Sequence, residues 1–118
     1  MKYYIGVDIG GTNIKAGVVN DSYDLLSSVS VKTNAAKGYE YVAKAISEAI
    51  NKAMEQAEKT IDDITSIGVG CPGTMDSENG VVLYSNNLHW ENVPLAKDIE
   101  KQFGKRVILE NDANVAAY

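Results

Sequence analysis

Apolar and polar positions alternate along this chain in two rhythms. Residues 3–7 form a short apolar run of aromatic and β-branched side chains, which favour a strand. At 14–18, Ile14, Ala16 and Val18 alternate with Lys15 and Gly17, a period of two and so a second strand. A glycine pair joins the two runs, which predicts a hairpin. After the turn-rich stretch 20–24, residues 25–33 read as a third strand, with Val29 and Val31 set among serines, so the opening is an antiparallel meander. At 39–58 the rhythm changes. Val42, Ala45, Ile46, Ala49, Ile50, Ala53, Met54 and Ala57 fall on one helical face, and Lys44, Glu48, Lys52 and Glu55 on the other. This helix reads as a packing element with a solvated charged side.

Residues 60–65 are a polar connector with room for one helical turn. The apolar run 66–70 then predicts a buried parallel strand after a helical crossover. Cys71-Pro72-Gly73-Thr74 forms a loop at its end, a candidate site wall, because ligands of open α/β sheets lie beyond the carboxyl ends of strands. Residues 76–80 predict a turn, 81–84 a short strand, and 85–91 an irregular polar stretch. Val93-Pro94 opens a helix running to Phe103, with Leu95, Ile99 and Phe103 four apart and Gly104 as its cap. Residues 106–109 predict a further strand, ending in Glu110. Asn111 or Asp112 can cap a helix that begins near Ala113 and continues to the last residue, Tyr118.

With 118 residues, 45% of them hydrophobic, the chain has the size of one domain with its own core. A net charge of -5 argues against non-specific nucleic-acid binding. One cysteine allows no internal disulfide and fits a reducing cytoplasm. No apolar stretch reaches membrane-spanning length, and the first strand begins too early to leave room for a signal peptide.

The densest chemistry lies in Asp8-Ile9-Gly10-Gly11-Thr12-Asn13-Ile14-Lys15. Glycines let backbone approach an anion closely and take unusual φ values. Successive N–H groups in such a turn form an anion-binding concavity. Thr12 adds a hydroxyl donor and Lys15 a cation. Asp8 alone repels phosphate, which suggests a bridging Mg²⁺. No Gly-Lys-Ser/Thr follows at Walker spacing. The dinucleotide fingerprint is also excluded, because a strand rather than a helix follows the glycines. An ordinary Gly-Gly hairpin remains the plain alternative. Asp112 reads equally as a simple helix cap. Asn87 reads as a turn residue, and Trp90 as a loop anchor or a sugar-stacking ring. Neither His89 nor Cys71 stands at metal-ligand spacing from a second candidate ligand.

The order strand, Asp-Ile-Gly-Gly-Thr hairpin, strand, strand, helix, strand is similar to the superfamily of sugar kinases, Hsp70 and actin. Gly70-Cys71-Pro72-Gly73, Asn87-Leu88-His89-Trp90 and Glu110-Asn111-Asp112-Ala113-Asn114 narrow it. Together they resemble the ROK family, most closely its glucokinase-like members. The resemblance implies a ribonuclease H-like (actin-like ATPase) α/β lobe, with a mixed five-stranded sheet of antiparallel meander and parallel strands flanked by helices. It implies phosphorylation of a hexose, glucose or an N-acetylhexosamine, with ATP and Mg²⁺ as cofactors. On that pattern Asp112 is the general base, and Gly73, Asn87 and Asn111 line the sugar pocket with it. Gly10, Gly11 and Thr12 meet the transferred phosphate, Lys15 assists, and Asp8 holds Mg²⁺ through water.

The resemblance covers only the family's amino-terminal lobe, residues 1–118 of this sequence. The second lobe, with its adenine site, further sugar ligands and often a Cys-rich zinc motif, is the expected partner. The chain alone is therefore expected not to turn over sugar. The apolar surface of a severed lobe interface is expected to favour a homo-oligomer. Two other functions share these motifs. A sugar-sensing ROK transcriptional regulator would carry a DNA-binding segment ahead of the hairpin. An actin-like or chaperone-type ATPase would not need Asn111-Asp112 beside a sugar pocket.

Overall fold

The computed structural model describes residues 1–111. Asp112 and the expected helix from Ala113 lie outside the described residues. A five-stranded sheet runs in the order Val29–Lys32, Asn13–Asn20, Tyr3–Ile9, Ile64–Cys71, Arg106–Asn111. It is built from β1 (Tyr3–Ile9), β2 (Asn13–Asn20), β3 (Val29–Lys32), β4 (Ile64–Cys71) and β8 (Arg106–Asn111). β1, β2 and β3 are the antiparallel meander, while β4 and β8 pair parallel to β1 and β4 respectively. Two crossovers in one direction place α1 (Tyr39–Gln56) and α2 (Leu95–Phe103) over one face. A second sheet, β5 (Thr74–Asp76), β6 (Val81–Ser85) and β7 (Trp90–Val93), lies in the β4–β8 connection.

The period-two pattern decides which face is buried. Ile5, Val7, Ile9, Ile14, Ala16, Val18, Ile67, Val69, Val107 and Leu109 share a single core with Val42, Ile46, Ile50 and Met54 of α1 and with Leu95 and Ile99 of α2. The other face is nearly bare of side chains along one row, where Gly17 pairs with Gly6 and Gly6 with Gly68. A Cβ on Gly17 would meet the Ser27 carbonyl oxygen at 2.4 Å, because the chain entering β3 crosses directly over it.

Several expectations change. The third strand is short, Val29–Lys32 rather than 25–33. Before it, the Ser27 hydroxyl accepts the Val18 N–H at 3.0 Å and the Leu26 N–H donates to the Val18 carbonyl, so side-chain bonding replaces a regular ladder. The stretch 85–91 is not wholly irregular, since β7 begins at Trp90. His89 and Asn92 carry φ of 59° and 52°, a kinked geometry that no alternation announces. Asn111 is the last residue of β8; the helix that it or Asp112 is expected to cap lies outside the described residues. The connector at 60–65 holds the anticipated single turn, closed by a Thr60–Asp63 capping box. Gly104 caps α2 at φ 70°.

Two polar pairs clamp α1 to α2. The Ser47 hydroxyl donates to Gln102 at 2.6 Å, and the Tyr39 hydroxyl donates to the Asp98 carboxylate while its ring meets Trp90 edge-on, centroids 5.1 Å apart. Burial, then the hydrogen bond to Asp98 and its charge, push the Tyr39 pKa well above the ordinary tyrosine value. The native state therefore holds this proton more tightly than the unfolded chain does. The resulting stability is fully present below about pH 10, the ordinary tyrosine pKa, and drains away as pH rises beyond it. Tyr39→Phe should cost about 1–2 kcal/mol at pH 8. The gap between the urea midpoints of the two proteins should narrow between about pH 10 and 11.5, and a constant gap would refute the assignment.

Candidate functional site

The parallel strands β1, β4 and β8 all end on the same side of the sheet, and the β1–β2 turn opens there too. Register aligns what they carry. Asp8 pairs with Lys15 on one side and Gly70 on the other, and Gly70 pairs with Glu110. Asp8, Lys15 and Glu110 thus share one row on the open face. The Asp8 and Glu110 carboxylates flank bare Gly70, their strands roughly 10 Å apart by strand spacing. Asp8 and Lys15 are exposed and make no ion pair among the described residues. The next row holds Ile9 against Ile14 and Cys71 against Asn111.

The turn itself is residues 10–12. The Gly10 N–H donates to the Asn13 carbonyl at 2.9 Å and closes it. The glycines serve a purpose other than left-handed backbone, since neither has a left-handed φ. Gly10 is needed for space, because a Cβ there would lie 3.0 Å from the Asn13 carbonyl oxygen. A Cβ on Gly11 would sit 3.7 Å from the Asn87 Cβ, so the turn rests against the segment carrying Asn87. Thr12 is exposed at the tip.

A residue that pattern alone did not single out fixes the turn from outside. Thr33, fully buried just beyond β3, donates its hydroxyl to the Gly10 carbonyl at 2.8 Å and its N–H to the Thr12 carbonyl at 2.9 Å. Its only sequence signal is a threonine beside Asn34 after a strand, which reads as any loop. Thr33→Val keeps the shape and the N–H bond but removes the hydroxyl. It should cost about 1–2 kcal/mol and speed hydrogen exchange at the Gly10 amide, measured by NMR; unchanged Gly10 exchange would show that the turn holds itself.

On the other side, Gly73 and Asn111 come together. The Asn111 Nδ2 donates to the Gly73 carbonyl at 3.1 Å. Gly73 sits at φ 116°, and a Cβ there would approach the Tyr84 carbonyl oxygen to 2.2 Å. Here glycine is obligatory. Beneath, the Ser85 hydroxyl and the Trp90 Nε1 are buried without a hydrogen-bond partner among the described residues. The structure thus brings Asp8, Gly10, Gly11, Thr12, Gly73, Asn87 and Asn111 to one end of the molecule, with Lys15 one register step below the turn. Asp112, the expected base, lies outside the described residues.

Among the described residues no cluster of three His, Cys, Asp or Glu side chains is arranged to hold a metal. Mg²⁺ keeps several waters and takes one or two carboxylates together with substrate phosphates, so a closed cluster of three is not what it needs. Asp8, an exposed carboxylate beside the turn, fits such an outer contact. No helix among the described residues is long and apolar enough to cross a membrane.

Residues 4–118 match the profile described as the ROK family. Among curated relatives, a glucokinase from Thermotoga maritima is 40% identical over 111 residues, covering 93% of this chain and 33% of the relative. A ROK hexokinase structure from Thermus thermophilus superposes with a TM-score of 0.86 at 40% identity, covering 98% of this chain and 37% of that one. A ROK family glucokinase from Streptomyces griseus, solved with glucose and AMPPNP, superposes with a TM-score of 0.88 at 38% identity, covering 98% and 35%. The chain has the actin-like ATPase, ribonuclease H-like architecture of these neighbours. The chain spans about a third of the length of the curated relatives it matches.

Proposed function

The chain belongs to the ROK family, and on that footing we propose that it is the amino-terminal lobe of an ATP-dependent sugar kinase. The reaction is transfer of the ATP γ-phosphate to a hydroxyl of a hexose, glucose or an N-acetylhexosamine. One observation carries the reading: the Gly10–Thr12 turn rests against the Asn87 segment, at the same sheet end where Asn111 holds the Gly73 carbonyl. A glycine turn tipped by the Thr12 hydroxyl and a cluster of polar side chains then meet at one opening.

In this reading the N–H groups of Gly11 and Thr12 and the Thr12 hydroxyl bind the phosphate being transferred, Gly10 keeps the turn closed through its own N–H bond to the Asn13 carbonyl, and Lys15 adds positive charge nearby. Asp8 holds Mg²⁺ through water; when bound, the ion neutralises phosphate charge. Asn87, Asn111 and the backbone at Gly73 orient the sugar. Asp112 accepts the proton of the attacking hydroxyl. Positioning and charge neutralisation carry most of the catalysis in such transfers. A second lobe supplies the rest of the site, and closure between lobes excludes water. The cytoplasm, where ATP and free hexose meet, is the setting this reading implies.

The test follows γ-labelled ATP with glucose present. The longer protein should move the label into sugar phosphate, and the 118-residue chain alone should not. Release of labelled inorganic phosphate without sugar product would instead identify a simple ATPase and overturn the reading.

A further inference from the structure

We propose that the groove between α1 and the outer edge of β3 is a second anion site, built for a compact, multiply charged, phosphate-bearing molecule. The cavity measures about 380 Å³, within the size range of small-molecule sites. Lys32 and Asn34 line it from the strand side, and Tyr41, Lys44, Glu48 and Lys52 from the helix. The helical residues fall at i, i+3, i+7 and i+11, so they form one stripe along α1 facing the strand. The groove starts at Lys32 and Asn34, on either side of Thr33, and runs along α1 away from the strand ends.

Charge is what sets this groove apart. The protein carries 16 acidic and 11 Lys or Arg residues, so an average surface lysine has carboxylates to spare. Here, among the described residues, three lysines line one concavity with a single carboxylate. That carboxylate, Glu48, is already paired with Lys52 at 2.9 Å. Lys32 and Lys44 make no ion pair among the described residues. Lys37 adds a fourth cation at the rim, its Nζ 4.8 Å from the Tyr41 ring centre. Asn34 Nδ2 donates to the Tyr41 hydroxyl at 3.3 Å and steadies that ring. Gathered cations repel one another, and a bound anion relieves the repulsion. β3 is also the edge of its sheet, so backbone groups on its outer side remain available to a ligand. Lysine ammoniums bind phosphate as point charges. The modest volume favours a small polyanion over an extended chain.

Calorimetric titration of the full chain with inorganic tripolyphosphate at low ionic strength tests the site. A saturable component that depends on the groove lysines is expected, separate from any binding at the Gly10–Thr12 turn. Lys32→Gln and Lys44→Gln should each weaken binding about fivefold. Glu48→Gln, which frees Lys52, should tighten it severalfold. Lys15→Gln, at the phosphate turn, and Lys105→Gln, outside the groove, should leave it unchanged. Thermal unfolding of each variant confirms that the fold is kept. Loss on Lys15→Gln with Lys32→Gln and Lys44→Gln silent would place the anion at the turn and overturn the proposal. Equal weakening by Lys105→Gln would show diffuse charge attraction and do the same, as would no binding at all. A parallel titration with a hexose phosphate separates two supporting outcomes, a phosphosugar occupant or a phosphate-chain occupant, by which binds tighter. The site is independent of the sugar-kinase reading, so either can fail alone.

Discussion

Asp112→Asn in the full-length protein should lower kcat for hexose phosphorylation by about 10²–10⁴-fold, the range that a positioned general base contributes. The substitution is informative because asparagine is as good a helix cap as aspartate. If Asp112 served only to start a helix, the variant would fold and work as before. Asparagine also keeps the shape and a hydrogen-bonding oxygen, so sugar affinity should change little. What it cannot do is accept the proton of the attacking hydroxyl. The decisive comparison is therefore kcat against the sugar dissociation constant measured by calorimetry. A fall in kcat with affinity held assigns the base. A loss under tenfold, or a matching loss of affinity, would remove Asp112 from that role.

Gly73→Ala should be the most damaging single methyl group among the described residues. The position combines φ 116° with crowding: an added Cβ would lie only 2.2 Å from the Tyr84 carbonyl oxygen and 3.0 Å from the Ser85 Cα. Neither neighbour is a flexible side-chain tip; both are backbone of β6. The expected cost is about 3 kcal/mol, from the unfavourable φ and the forced displacement of a strand. Gly38→Ala supplies the control. Gly38 has a similar φ of 96° but open space around the added carbon. It should cost about 1–2 kcal/mol, the backbone strain alone. Urea unfolding of the two variants separates backbone preference from collision. Equal effects would mean that β6 yields easily, and the Asn111 bond to the Gly73 carbonyl would then survive the change.

Much of this architecture is written in local pattern. The alternation of Ile14, Ala16 and Val18, the stripe from Val42 to Ala57 and the cap at Gly104 each describe one element, and each needs only neighbours in sequence to be read. The resemblance to the ROK family then ordered these elements into one mixed five-stranded sheet with flanking helices, and the sheet order agrees with it. What local pattern cannot carry is any contact between distant segments. Thr33 holding Gly10 spans the whole hairpin and third strand. The crossing of Ser27 over Gly17 cuts β3 short, although the sequence around Val29 alternates well beyond it. β7 is missed because Trp90-Glu91-Asn92-Val93 has one buried and one half-buried apolar residue and a left-handed asparagine, so nothing in its order separates it from a loop. The glycine pair at 10 and 11 shows a subtler gap. Composition announces a tight turn but not whether the glycines supply φ or room; here neither supplies a left-handed φ, and Gly10 supplies room.

The pairing of β8 along β4 has a consequence for how such a site tolerates change. Side chains on a strand face alternate sides, so a slip of one residue would send Glu110 to the place of Asn111 and turn the amide away from Gly73. Val107 and Leu109 oppose that slip by refusing to leave the oily side of the sheet. Two greasy residues that never meet a ligand thus choose which hydrophilic one is presented at the opening, and drift at either of them would be felt first as a misaimed amide.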